Sequence, residues 1–162
     1  MRFHPLLAAI SFATLAAQAL PAHADAWRSP YVDPYTYFTE DAQYEAWYAL
    51  RAALELGFED ICGDTFCEGD YSNLTPLRFQ CSVQLHGGRI GACLWSFAAS
   101  SEEIDPRSGQ LAIDVPAWSC AIPLAPGVTM PQLLAALAGD EPLHATLPGG
   151  TGSIYDALGD CL

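Results

Sequence analysis

The sequence predicts an α+β fold in which an N-terminal helix packs on a small antiparallel β-meander of three to four strands, followed by short C-terminal helices. Three observations predict this fold. Residues 46–54 form an apolar stripe at helical spacing, residues 77–85 alternate between apolar and polar, and helix start patterns recur after residue 128. Six cysteines accompany these elements and predict a disulfide-stapled fold.

Residues 1–24 have the pattern of a secretory signal peptide. Arg2 supplies the positive charge, residues 6–20 are an apolar run, and Ala22-His23-Ala24 is a small-x-small cleavage site. A membrane anchor would need roughly 20 apolar residues, and the segment beginning at Pro21 ends the run earlier. We therefore expect cleavage after Ala24, no membrane insertion afterwards, and residues 25–162 as a single exported domain, periplasmic or secreted.

The cysteines all follow the predicted cleavage site, and an even number in an oxidising compartment predicts disulfides. Spacing alone does not fix the connectivity. Proximity favours the first pair, the hairpin described below favours the second, and the third is what remains. A zinc site is not expected, because there is no C-x-x-C pair and only two histidines follow the cleavage site; no cofactor is predicted. The favoured pairs are Cys62 with Cys67, Cys81 with Cys93, and Cys120 with Cys161.

The first elements of the domain are an arm and a helix. Residues 25–38 are rich in Trp, Tyr and Pro, which predicts an extended arm lying over the core. Thr39 is expected to cap the helix, Glu40 and Asp41 suit its positive end, and Gly57 is a natural stop. Its apolar stripe is expected to pack on the hairpin that follows. The stripe consists of Ala46, Trp47, Leu50, Ala53 and Leu54.

A β-hairpin is predicted over residues 77–98. With a loop of His86 to Gly88, Cys81 lies opposite Cys93 and Phe79 opposite Trp95, all on the apolar face. A two-residue Gly87-Gly88 turn would shift the register by one and put the two thiols on opposite faces. We favour the first register because it unites the thiols with the large apolar side chains. It also places Val83 opposite Gly91 and Leu77 opposite Phe97.

The remaining elements follow in order. Residues 110–115 predict a third strand with Leu111, Ile113 and Val115 on one side, and pairing is expected to resume over 118–122 after Pro116. Thr129 begins a helix that ends at Gly139. Ser153 and Asp156 approximate a capping box that begins a last short helix. These elements complete the predicted meander and its C-terminal helices.

The chain is strongly acidic. It has 19 Asp and Glu against 6 basic residues, and its formal net charge of −13 becomes −14 once Arg2 leaves with the signal peptide. Such a surface disfavours nucleic acid and anionic membranes and favours a basic protein or a divalent cation. Acidity also serves solubility on its own.

Five acidic residues surround the first cysteine pair between Phe58 and Asn73. We expect this segment to contact a basic partner protein through Asp64, Glu68 and Asp70. Clustered carboxylates on a disulfide-tightened loop could also hold calcium, although their spacing does not match the D-x-D-x-D-G pattern.

No catalytic motif supports an enzyme. Ser153 does not stand in G-x-S-x-G, and the glycines before it lack the lysine of a phosphate-binding loop. The sequence therefore favours a protein-binding, inhibitor-like module. The alternatives are a small carboxylate-dependent hydrolase, since so many acids are present, and a structural envelope protein with a calcium-binding acidic loop.

Overall fold

The computed structural model describes residues 30–69 and 71–162, so the predicted signal peptide lies outside the described residues. The strands are β1 (Tyr31–Val32), β2 (Thr75–Gln84), β3 (Ile90–Ala98), β4 (Ser101–Ile104), β5 (Leu111–Asp114) and β6 (Ala117–Ile122). The helices are α1 (Pro34–Tyr37), α2 (Asp41–Cys62), α3 (Met130–Ala136) and α4 (Ile154–Gly159).

The main sheet is antiparallel, with strand order β1-β2-β3-β6, and α2 packs against it. Ring contacts join the two layers, since the Trp47 centroid lies 5.6 Å from that of Phe79 and the Phe58 centroid lies 4.9 Å from that of Phe97. The predicted α+β fold, with a helix on an antiparallel sheet and short helices after it, is confirmed.

The structure contains the three disulfides that the sequence analysis favours. They join Cys62 to Cys67, Cys81 to Cys93, and Cys120 to Cys161. Cys81, Cys93 and Cys120 are buried in the same core as the aromatic residues of α2 and β3. The bridges therefore cross-link the core itself and tie the segment after α4 to β6.

Helix α2 starts one residue later and ends six residues later than the sequence predicts. Glu40, not Thr39, is the N-cap, and the Gln43 side chain accepts the backbone N–H of Glu40 at 3.2 Å. Gly57 does not end the helix. A buried i, i+4 series of Leu54, Phe58 and Cys62 continues past it, so tertiary packing outweighs the low helix propensity of one glycine.

The described part of the N-terminal arm, residues 30–38, is only partly extended, and residues 25–29 of the predicted arm lie outside the described residues. Asp33 accepts the backbone N–H of Tyr35 at 2.8 Å and caps the single turn α1, which begins at Pro34. The Tyr44 hydroxyl donates to the carbonyls of Tyr35 at 3.1 Å and Phe38 at 3.0 Å. These bonds hold the arm on α2 and give its aromatic residues a packing role.

The β2–β3 hairpin has the predicted register at its centre, where Cys81 pairs with Cys93 and Phe79 with Trp95. At its two ends the predicted register is wrong by one residue. Val83 pairs with Ile90 instead of Gly91, and Phe97 pairs with Pro76 instead of Leu77.

Each difference is a β-bulge that local alternation does not reveal. The loop is one residue longer than predicted, since the backbone N–H of Gln84 donates to the Arg89 carbonyl at 2.7 Å. The bulge beside Gly91 then restores the central register. A Cβ on Gly91 would lie 2.7 Å from the Tyr31 ring, so a larger residue there would have to displace the exposed Tyr31 side chain.

Strands β4 and β5 extend the β3–β6 pair without a shift in register. Ala98 pairs with Ala117, and the same register continues through Ser101 and Asp114 to Ile104 and Leu111. The predicted third strand is thus β5, but it pairs with β4 outside the main sheet. We call residues 101–115 the distal ribbon.

The two C-terminal helices begin where the sequence predicts. Thr129 and Gln132 form a capping box at α3, and Ser153 and Asp156 form one at α4. Leu133 and Leu158 are fully buried and bring both helices onto the shared core. Within residues 30–69 and 71–162, no helix combines the length and the apolar character needed to cross a membrane.

Candidate functional site

The acidic segment after α2 is the surface that the sequence singles out. Asp64 is exposed on the turn that the Cys62–Cys67 bridge closes, and Glu68 is exposed directly after Cys67, while Asp70 falls outside the described residues. In the described part of the chain, no three His, Cys, Asp or Glu side chains are grouped so that they could hold a metal ion. The contact role of this segment remains a prediction.

The distal ribbon carries an exposed apolar face. Ile104 is 69% exposed, Leu111 64%, Ile113 65% and Val115 66%. Ile104 lies directly opposite Leu111, and alternate residues of a strand share a face, so these four side chains lie on one face of the ribbon. Glu102 lies on the same face, directly opposite Ile113. Soluble proteins rarely leave a group of large apolar side chains uncovered unless it binds something.

The opposite face of the distal ribbon is polar and acidic. Ser101 lies opposite Asp114 and Glu103 lies opposite Ala112 on this face. The Tyr71 hydroxyl donates to Asp114 at 2.5 Å. A groove of about 620 Å³ lies between Tyr71 and the ribbon. The ribbon therefore presents one mainly apolar face, which also carries Glu102, and one polar face, which carries Glu103 and Asp114.

A capped loop orders the tip of the ribbon. The Asp105 carboxylate accepts the backbone N–H groups of Arg107 at 2.7 Å and Ser108 at 3.2 Å. These hydrogen bonds stabilise the charged carboxylate and lower the pKa of Asp105. Gly109 has φ +71°, a left-handed conformation that glycine adopts without strain. The apolar side chains thus stand on a defined hairpin.

A second groove, of about 400 Å³, lies between α2 and residues 140–144. Leu56 and Ile61 provide its apolar lining, and Asp60, Asp140 and Glu141 give it acidic groups. Leu56 is exposed beside it. This groove has a mixed lining of the same chemical kind as the ribbon, and its volume is smaller than that of the groove beside Tyr71.

Ser153 and His144 both have structural contacts. The Ser153 hydroxyl donates to the Asp156 carboxylate at 2.8 Å and accepts the backbone N–H of Asp156 at 3.2 Å. The backbone N–H of Ser153 also donates to the Asp156 carboxylate at 2.8 Å. This bond and the one from the Ser153 hydroxyl lower the pKa of Asp156, and the three bonds together cap α4. The His144 ring packs on Tyr155, with centroids 4.9 Å apart. The hydroxyl of Ser153 thus caps the N-terminus of α4.

Sequence reasoning identified three of the four apolar ribbon residues as a strand face but did not identify them as a site. Residues 101–104 read Ser-Glu-Glu-Ile and show no alternation of apolar and polar residues, so the sequence gives no local signal for β4 or for the place of Ile104 on this face. No protein-family model, curated protein or solved structure matches this chain.

Proposed function

We propose that this protein is an exported, inhibitor-like binding module that acts in the periplasm or outside the cell and binds a basic protein through the distal ribbon. The observation that carries the proposal is the set of four large apolar side chains, each about two-thirds exposed, on a hydrogen-bonded ribbon. Apolar surface left uncovered in this way is typical of a protein-binding site.

Charge supports a basic partner. The ribbon has four acidic residues and one basic residue, Arg107, on a chain with net charge −13. Opposite charge on the partner would speed the encounter and select against other acidic proteins. The four acidic residues are Glu102, Glu103, Asp105 and Asp114.

The disulfide framework supports the proposed location and mode of binding. A small domain with three disulfides is compatible with an extracellular module. A cross-linked core also holds the base of the ribbon in place, which reduces the conformational entropy lost on binding.

The acidic segment after α2 has a secondary part in this proposal. Asp64, Glu68 and Asp70 add negative charge that attracts a basic partner over about a Debye length, roughly 8 Å at physiological salt. We therefore expect these residues to change the association rate more than the dissociation rate.

The test uses residues 25–162, immobilised and exposed to periplasmic or culture-fluid proteins of the source organism. The ribbon variant Leu111→Ser/Ile113→Ser is compared with the matched control Leu56→Ser/Leu94→Ser, which removes exposed apolar side chains elsewhere. We expect saturable binding of a basic protein to the parent and the control, and at least tenfold weaker binding to the ribbon variant.

A charge variant tests the part assigned to the acidic segment after α2. The charge variant Asp64→Asn/Glu68→Gln/Asp70→Asn should slow association and make it less sensitive to salt. Absence of saturable binding to the parent, or equal binding by the ribbon variant and its control, would contradict the proposed function.

A further inference from the structure

The hydrogen bonds of the distal ribbon determine which backbone groups of β5 face outward. The N–H of Ala99 donates to the Pro116 carbonyl at 3.2 Å, and the N–H of Asp105 donates to the Gln110 carbonyl at 2.8 Å. In an antiparallel pair, hydrogen-bonded and non-hydrogen-bonded residue pairs alternate. The backbone N–H and C=O groups of Leu111, Ile113 and Val115 therefore point away from β4.

The outer side of this strand is a free edge. In the described part of the chain, β6 ends the main sheet and β5 pairs with β4 alone. Natural proteins usually protect such edges with charged residues or by covering them. Here the only charged side chain between Leu111 and Ile122 is Asp114, so the edge is open to another strand.

Two different faces meet at this edge. The side chains of Leu111 and Ile113 lie on the apolar face, while Asp114 lies on the acidic face next to Tyr71. A strand added along the edge would place its alternate side chains over one face and then the other. The edge thus favours a strand in which apolar and basic residues alternate.

We infer that the basic partner contributes an extended segment that adds to the β5 edge over residues 111–115, with apolar side chains over Ile113 and Lys or Arg side chains over Asp114. This inference rests on the proposed function and specifies how the partner binds. Backbone hydrogen bonds supply part of the affinity, and the alternating side chains supply the selectivity.

A second copy of this chain fits the edge less well. Two β5 strands paired side by side would bring two Asp114 carboxylates and the neighbouring acidic residues onto one face, and like charges across strands are destabilising. A basic segment places an opposite charge at the same position. Charge complementarity therefore favours a foreign, basic strand.

The probe is a capped synthetic peptide of about eight residues that alternates valine and lysine. One control peptide has the same composition in two blocks, and a second is N-methylated at the amides that would face the edge. We expect the alternating peptide to bind at least tenfold more tightly than either control in calorimetric titrations. Hydrogen exchange should slow at the amides of Ile113 and Val115 on binding, because these amides face outward in the free protein.

The matched protein variants are Ile113→Pro and Ile113→Ala. Proline removes an outward N–H and leaves the β4–β5 hydrogen bonds in place, whereas alanine keeps the N–H and shortens the side chain. Ile113→Pro should bind the alternating peptide at least tenfold more weakly than Ile113→Ala. If Ile113→Pro does not fold, the N-methylated peptide tests the same hydrogen bonds on the parent.

The outcomes separate this inference from the proposed function. Equal binding of the N-methylated and unmethylated peptides, or a parent dimer in sedimentation that Ile113→Pro abolishes, would overturn strand addition by a foreign segment. In that case a partner protein captured through the apolar face, and lost with Leu111→Ser/Ile113→Ser, would still support the proposed function. Failure of the parent to bind any protein would overturn both.

Discussion

Removing the Cys120–Cys161 bridge should destabilise the protein more than removing the Cys62–Cys67 bridge. The first pair is 41 residues apart and the second is 5 residues apart. A bridge stabilises the folded state mainly by lowering the conformational entropy of the unfolded chain, and this decrease grows with loop length. In the chain-entropy model the long bridge contributes about 4 kcal/mol and the short one about 2 kcal/mol.

The comparison is made on residues 25–162 as Cys120→Ala/Cys161→Ala and Cys62→Ala/Cys67→Ala variants, each unfolded in urea at equilibrium. We expect the free energy of unfolding to fall by about 4 kcal/mol in the first and about 2 kcal/mol in the second. Cys120 and Cys62 are both buried, so the packing losses are similar and largely cancel in the difference. A larger loss for the Cys62 variant would refute the loop-length reasoning.

Three further predictions concern the core, the hairpin loop and the ribbon tip. Leu133→Ala should lower the free energy of unfolding by about 2–5 kcal/mol because Leu133 is fully buried, whereas Leu111→Ala should change it by less than about 0.5 kcal/mol; urea titration measures both. Gly88→Ala should lower the melting temperature more than Gly87→Ala. Both glycines have positive φ, but only a Cβ on Gly88 would collide with a tyrosine ring. Asp105→Asn should be less stable than the parent at pH 7, because the folded-state pKa of Asp105 is lowered. Its stabilising effect is present above the unfolded-state pKa of about 3.9 and is lost as the pH falls through the folded-state pKa. The difference in melting temperature between Asp105→Asn and the parent should therefore disappear in acid. A difference that is independent of pH would contradict the role assigned to the Asp105 carboxylate.

The sequence alone predicts the elements that are determined by residues close together in the chain. Alternation over β2 identified the facing pairs Phe79–Trp95 and Cys81–Cys93, because one buried face imposes a period of two. The capping residues of α3 and α4 were equally predictable, because an N-cap side chain bonds to backbone only two or three residues away.

The differences arise where distant residues decide the local structure. Gly57 looks like a helix end, but the buried residues on either side of it keep α2 continuous. At the Gly91 bulge, the room for a side chain is limited by the ring of Tyr31, which lies sixty residues earlier in the sequence. Neither contact leaves a pattern within the segment that it alters.

The exposed apolar face of the distal ribbon was not predicted as a site, for a related reason. Leu111, Ile113 and Val115 alternate with polar residues in the same way as the buried face of β2. A strand pattern states that one face is apolar and does not state whether another layer covers it. Only the placement of β5 beyond the main sheet shows that this face is exposed.

The β2–β3 hairpin also implies an order for oxidative maturation. Cys81 and Cys93 are 12 residues apart and come together within a single hairpin, a structure that forms in about 1–10 μs in isolated chains. In the export that we propose for this protein, the chain emerges with its N-terminus first, so this pair can oxidise before the later segments have arrived. Cys120 must wait until Cys161 has emerged, so its thiol is the one exposed longest to mispairing and to the isomerases that correct it.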